Sequence, residues 1–221
     1  MTERMSTSAV QEAFLRRPAP KQRKETIGPS RGDSLGGHNP GLFNIWYGKK
    51  VGREEKTMKA SQTRCRPALH SGYTRAGKGS VICVFFAQGR CDKGFECQYY
   101  HRIPNTEDEV SLGAALDVFG RERFARDRDD MGGIGTFSRA NRTLYVGRIN
   151  TKSQKMLAEQ FGEFGTIESI KVLEDKGCAF VKYSLRAAAE FAKEAMDSQA
   201  EIPLSPPKVR LALRFYGFPI E

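Results

Sequence analysis

The sequence predicts an α+β fold: a β-α-β-β-α-β sandwich over residues 141–216, preceded by a small metal-stabilised finger unit and a disordered basic N-terminus. Three observations predict it. Hydrophobic spacing after Asn141 switches repeatedly between periods of 2 and 3.6. Four metal-ligand side chains crowd into residues 81–101. The excess positive charge is confined to the first 80 of the 221 residues.

Charge comes first because it excludes most. Lysine and arginine number 36 against 26 aspartates and glutamates, a formal net charge of +10. Residues 1–40 carry 7 basic and 4 acidic side chains, residues 41–80 carry 9 and 2, and the remaining 141 carry 20 and 20. Mean hydropathy of −0.53 points to compact units joined by polar chain rather than one large core. The longest apolar run, Val81–Ala87, falls far short of the ~20 residues of a membrane helix. No N-terminal stretch has the apolar core of a secretory signal. An intracellular partner of a polyanion is expected, and a membrane protein or a secreted disulfide scaffold is not.

Residues 1–40 contain Pro18, Pro20, Pro29 and Pro40 with no sustained period, and read as disordered. Arg16-Arg17 and Lys21–Lys24 form a loose basic cluster compatible with a nuclear address. Residues 41–104 join an aromatic and basic segment, with Trp46 and Tyr47 at its head, to the finger. Trp46 and Tyr47 suit either a core or an exposed stacking surface for bases. In the connector 105–140, Leu112, Ala115, Leu116 and Phe119 fit a helical stripe, with Gly120 as its stop. The sandwich then reads as strand Thr143–Gly147, helix Lys152–Phe164, strands Thr166–Leu173 and Cys178–Tyr183, helix Arg186–Met196 and strand Val209–Leu213.

The ligand set is Cys83, Cys91, Cys97 and His101, spaced C-x7-C-x5-C-x3-H. Three thiolates and an imidazole make a closed tetrahedral site, the donor set of one structural Zn2+. With all four positions filled by protein, no place remains for an activated water, so metal catalysis is not expected. About 20 residues cannot bury enough apolar area to fold unaided, and the metal would supply the difference. Cys65 and Cys178 lie outside the set and read as free thiols, and His38 and His70 as solvated loop residues.

The segment resembles the CCCH zinc fingers, a family whose members commonly bind single-stranded RNA. Phe85, Phe86, Phe95, Tyr99 and Tyr100 crowd its loops. Some must pack around the metal, and the others suit base stacking. Leu144–Ile149 and Lys176–Tyr183 resemble the two signature strands of the RNA-recognition motif (RRM). Period 2 puts Lys176, Cys178 and Phe180 on one face and Ala179 and Val181 on the core side. Tyr145 and Phe180 would be neighbouring stacking rings, with Lys176 set for phosphate. Cys178 stands where the family usually has a third ring, so either weaker RNA contact or a sheet covered by protein is expected.

The whole order extends the likeness: Phe43–Tyr47, Leu69–Arg75, the finger, Asp117–Phe124, Asp129–Phe137, then the RRM. Over about residues 42–215 it resembles the Prp-nineteen-complex-related splicing factors that carry one CCCH finger beside one RRM. That resemblance implies a compact basic-plus-finger unit (the Torus) packed on the RRM. It implies a nuclear, non-enzymatic protein that contacts U-six small nuclear RNA and the intron and ties them to scaffold proteins of the Prp-nineteen-related complex. It places RNA contacts at Trp46, Tyr47, Lys49, Arg53, Arg64 and Arg66, at the finger rings Phe86, Phe95, Tyr99 and Tyr100, and at Tyr145, Arg148, Lys176, Phe180 and Lys182 on the RRM. Lys50 departs from the family, where an aromatic is common, and the chain ends close behind the RRM without the usual polar tail. The alternative function is regulation of mRNA stability or processing by two independent modules. Flexible spacers would favour it, whereas residues 105–137 are charged and aromatic-bearing, as packed interfaces are. An enzyme is disfavoured, since neither a phosphate-binding Gly loop nor a nucleophile–base pair is recognisable.

Overall fold

The computed structural model describes residues 16–23, 64–125, 136, 140–149 and 154–197, with 43–44, 49–50 and 212–215 as backbone strands. A two-residue hairpin, β1 (Phe43–Asn44) with β2 (Lys49–Lys50), precedes three short helices. These are α1 (Pro67–His70), α2 (Val84–Ala87) and α3 (Thr106–Leu112). The C-terminal unit follows as β3 (Thr143–Gly147), α4 (Gln154–Gly162), β4 (Ile167–Leu173), β5 (Cys178–Tyr183), α5 (Arg186–Asp197) and β6 (Ala212–Phe215). Its sheet is antiparallel in the order β4-β5-β3-β6, the split arrangement expected. The last strand overlaps the expected Val209–Leu213 and runs two residues past it, with Gly147 paired with Ala212 and Leu144 with Phe215, while residues 209–211 lie outside the described residues. No helix among the described residues is long and apolar enough to cross a membrane.

One face of the sheet carries Leu144, Val146, Ala179 and Val181, all buried, and packs on Leu157 and Phe161 of α4 and on α5. Alternation alone accounts for that layer. Helix α5 is less ordinary, because every residue from Arg186 to Lys193 is buried. A helix covered all round must have a second partner beyond its sheet. The partner is the finger and connector. Phe191 lies 5.9 Å from the Phe86 ring, 6.3 Å from Phe119 and 5.9 Å from Phe164, so finger, connector and sheet unit share one apolar core.

Charged groups frame this junction. Glu190 accepts the Val118 N–H at 2.8 Å and lies 3.4 Å from both Arg123 and Arg186. Burial pushes its carboxyl up, to about 7, against the pull of the two guanidiniums. Arg121 bridges Asp117 at 2.6 Å and Glu194 at 2.7 Å, and Gln88 donates to Glu194 at 3.1 Å. Arg186 also donates to the Gly113 carbonyl at 2.7 Å.

Two expectations are corrected. The stripe Leu112–Phe119 is not one helix: α3 opens on an Asn105–Asp108 capping box and stops at Gly113, where φ is 64°. Beyond it the Asp117 carboxylate accepts the N–H groups of Phe119 and Arg121 at 3.0 and 2.7 Å, folding the chain into a turn that competes with helix. The second correction concerns only residues 16–23 of the expected disordered stretch 1–40, the rest of which lies outside the described residues. Residues 16–23 are a packed strap: Ala19 and Gln22 are buried, Ala19 donates to Tyr73 and Tyr73 to Arg17. A Cβ on Gly72 would stand 2.5 Å from the Ala19 nitrogen, so only glycine lets the strap lie this close. The strap's bonds, from backbone and from the Arg17 and Gln22 side chains, reach partners 51 to 69 residues away, which leaves no local period to read.

Phe191→Ala is expected to cost about 3–5 kcal/mol by removing a ring shared by three segments. Urea unfolding followed by near-ultraviolet and far-ultraviolet circular dichroism should show one coincident transition in the native protein, at a lower midpoint in the variant.

Candidate metal centre and nucleic-acid interface

The four metal-ligand side chains converge. The ligand atoms of Cys83, Cys91, Cys97 and His101 lie within 4.8 Å of one another, and all four residues are buried. Cys83 caps α2, its Sγ accepting the Phe86 N–H at 3.3 Å. Cys97 ends the 3-10 turn Gly94–Glu96, and its N–H donates to the Gly94 carbonyl. His101 lies beside Tyr100, which pairs with Ile82, and its carbonyl accepts the Gly72 N–H at 3.0 Å. Both His101 ring nitrogens are buried with no hydrogen-bond partner, a costly state for a free imidazole, and a metal ion bound to one of them would supply a partner there. Contacts with the Cys91 and Cys97 sulfurs, with burial added, push the Cys83 thiol up, while the same sulfur contacts pull Cys97 down. The sulfurs cannot all ionise side by side without a cation. The donor set therefore fits a metal ion, and four protein ligands leave no coordination position for a reacting water.

The finger's rings divide into two groups by helix geometry. Phe86, three residues after Cys83, faces back onto the cap: it is fully buried and stacks on His101 at 4.8 Å and 11°. This corrects its expected role in RNA contact, since a ring sandwiched between the metal ligand and Phe191 offers no face to a base. Phe85, one position earlier, points the other way and is exposed. The i+3 spacing from the capping cysteine was the signal that separates the two. Phe95 and Tyr99 are exposed as well, with the Arg75 guanidinium 5.7 Å above the Phe95 ring. Tyr100 is half-buried, donates its hydroxyl to Gly77 at 2.8 Å, and is faced by Arg102 at 4.7 Å. Tyr73 joins the exposed rings from the segment bridged to the strap, and Thr74 Oγ1 donates to the Tyr99 carbonyl at 2.9 Å. Tyr73 and Arg75 had no ligand spacing to mark them in the sequence.

On the sheet, β3 and β5 bring Tyr145 opposite Phe180, with ring centroids 5.7 Å apart in an edge-on arrangement. Phe180 is only 8% exposed and Cys178 3%, so β5 is buried on both faces apart from Lys182. Tyr145 lies along its own strand: a Cβ on Gly147 would meet its ring at 2.8 Å, and Gly147 is the register partner of Cys178. Lys176 stands in the 3-10 turn Glu174–Lys176, not on the strand, and is exposed. The strand-alternation argument for its direction therefore does not apply. Arg148 follows β3 with φ of 61°, and the bond from Ile149 N–H to the Gly177 carbonyl sets it beside that turn. Lys182 is paired with Glu168 at 2.7 Å.

Among the basic residues ahead of the finger, Arg64 is already committed. Its guanidinium bonds the Gln160 side chain and carbonyl, lies 3.5 Å from Glu163 and covers the Phe164 ring. It fastens the finger unit to α4, which corrects its expected part in phosphate contact. Arg66 is exposed, its N–H donating to His70 Nδ1 at 3.1 Å, so His70 closes its own helix and is not a solvated residue. Burial lowers the His70 pKa. Cys65 is fully buried, and burial pushes its thiol up. Trp46, Tyr47 and Arg53 lie outside the described residues, and Lys49 is described as backbone only.

Known proteins place the two halves independently. Residues 14–121 match the Torus domain and residues 144–204 the RNA recognition motif, so the fold and site define a Torus–RRM protein. The pre-mRNA-splicing factor cwc2 of Aspergillus fumigatus is 49% identical over 167 residues, covering 72% of this chain and 40% of that protein. The factor of the same name in Dictyostelium discoideum is 44% identical over 197 residues, covering 86% and 36%. The chain belongs to the family of these Cwc2-type factors, and it spans about two fifths of their length. Among solved structures, a Sxl-lethal protein/RNA complex matches 34% of the chain at 30% identity, with a TM-score of 0.31.

His101→Ala is expected to abolish stoichiometric metal binding and to unfold residues 81–101, since binding is worth roughly 10–16 kcal/mol in finger peptides. Metal content of the purified variant by atomic emission, with amide protection across the finger, checks both.

Proposed function

We propose that the protein is a non-catalytic, nuclear RNA-binding splicing factor whose metal is one structural Zn2+. It contacts U-six small nuclear RNA and the intron and links them to scaffold proteins of the Prp-nineteen-related complex. The observation that carries the reading is the match to splicing factors over the Torus and RRM halves together. Zinc follows from donor chemistry: three soft thiolates and one imidazole in a closed set suit it better than the oxygen-seeking divalent ions.

The division of labour follows from the charges and rings. The +7 segment 41–80 supplies long-range attraction to phosphate, which is salt-sensitive. Four of the six exposed large apolar side chains among the described residues are Tyr73, Phe85, Phe95 and Tyr99, all on the finger and the segment just ahead of it. They are the rings open to bases, whereas Phe180 on the sheet is nearly enclosed. The regulator of mRNA stability needs two modules that move independently, and the core shared through Phe191 counts against it.

Tyr73→Ala with Tyr99→Ala is expected to weaken binding to single-stranded RNA by about 1–3 kcal/mol per stacked base, measured by fluorescence anisotropy, while leaving the fold unchanged. Crosslinking in cells, with sequencing of the attached RNA, tests the target: U-six RNA and intron reads are expected, and reads scattered over messenger 3′ ends would overturn the splicing assignment.

A further inference from the structure

We propose that Gln22 is a positioning residue for the metal centre: its amide, on the strap ahead of the finger, holds Cys91 in ligating geometry and ties it to the helix bearing Phe86. The inference rests on the zinc reading above. Gln22 is buried and uses three groups at once. Its Oε1 accepts the Cys91 N–H at 2.9 Å, its own N–H donates to the Cys91 carbonyl at 2.8 Å, and its Nε2 donates to the Phe86 carbonyl at 3.1 Å. Both backbone polar groups of Cys91 are thus bonded to a residue 69 positions away.

The other ligands are held differently. Cys83 donates to Tyr100 and Cys97 to Gly94, bonds made within the finger itself. His101 is braced by Phe86. The His101 carbonyl takes one bond from outside the segment 81–101, from the Gly72 N–H, whereas Cys91 has both its N–H and its C=O, and hence its peptide orientation and the direction of its Sγ, set from outside by one residue. Its amide and carbonyl leave water when the finger closes, so an apolar residue at 22 would leave the buried Cys91 N–H without a partner and remove one donor from the Phe86 carbonyl, which keeps the Gly89 N–H. Groups that orient metal ligands in this way carry a large share of metal affinity. The strap has a separate anchorage that does not touch a ligand: Arg17 donates from Nε to the Ser71 carbonyl at 3.0 Å and to the Ala68 carbonyl at 2.6 Å. The two ends can therefore be tested apart.

The full chain is loaded with zinc and titrated against a chelating dye, and the Co2+-substituted protein is examined by absorption. Gln22→Met, near-isosteric and apolar, is expected to weaken Zn2+ affinity by about 10–100-fold and to shift the thiolate-to-cobalt bands. Arg17→Ala is expected to leave both unchanged. Equal affinity in Gln22→Met and the native chain overturns the proposal, as does an equal loss in Arg17→Ala, which would make the strap a general support. Should Gln22→Met not fold, Gln22→Ala is measured in its place: it removes both side-chain bonds and adds no charge. Weaker binding by Gln22→Ala supports the proposal and native affinity overturns it. A native chain that takes up no zinc removes the zinc reading itself, and this inference with it.

Discussion

One aromatic ring joins the two halves of the molecule. Phe86 lies flat on the imidazole of His101 on one side and against Phe191 of α5 on the other. The metal centre therefore closes an apolar core that continues into the RRM, and each half removes water from the other's weakest surface. A finger of some 20 residues has too little apolar area of its own, and an α-helix buried all round needs a second layer. The same contact meets both needs.

Charge is used at two distances. Inside the junction, Asp117, Glu190 and Glu194 meet Arg121, Arg123 and Arg186, with backbone and Gln88 groups completing the set. Buried pairs of this kind set orientation more than they add stability, because desolvation offsets most of the attraction. They are suited to holding one angle between finger and sheet. The uncompensated positive charge lies ahead of the finger in the sequence instead, within the first 80 residues.

The parts of the fold that depend on near neighbours in sequence were legible. Strands β4 and β5 follow from alternation, α5 from its Ala-rich helical stretch, and the metal set from cysteine and histidine spacing. Failures cluster where a residue's partner is remote. Arg64 looked like any arginine in a basic run until Gln160 of α4 and Glu163 in the turn behind it met its guanidinium. The strap at 16–23 has no apolar period, since backbone bonds to Tyr73 and Cys91 hold it. The turn at Asp117 defeated a plausible helical stripe because a buried carboxylate offered the backbone another set of bonds. Phe86 and Phe85 were separable in principle, by their offsets from the capping cysteine.

The sequence by itself determined the α+β class, the order of the RRM elements, the four metal ligands and where the positive charge lies. Each of these is a matter of local period, spacing or count, which the chain carries wherever it goes. Tertiary structure decided which rings remain open to a nucleic acid and which are spent on the core. It also decided that the two modules share that core, and that a polar strap reaches the metal site. Those outcomes depend on which surfaces lose their water together, and burial is a property of the packed chain, not of any residue in it.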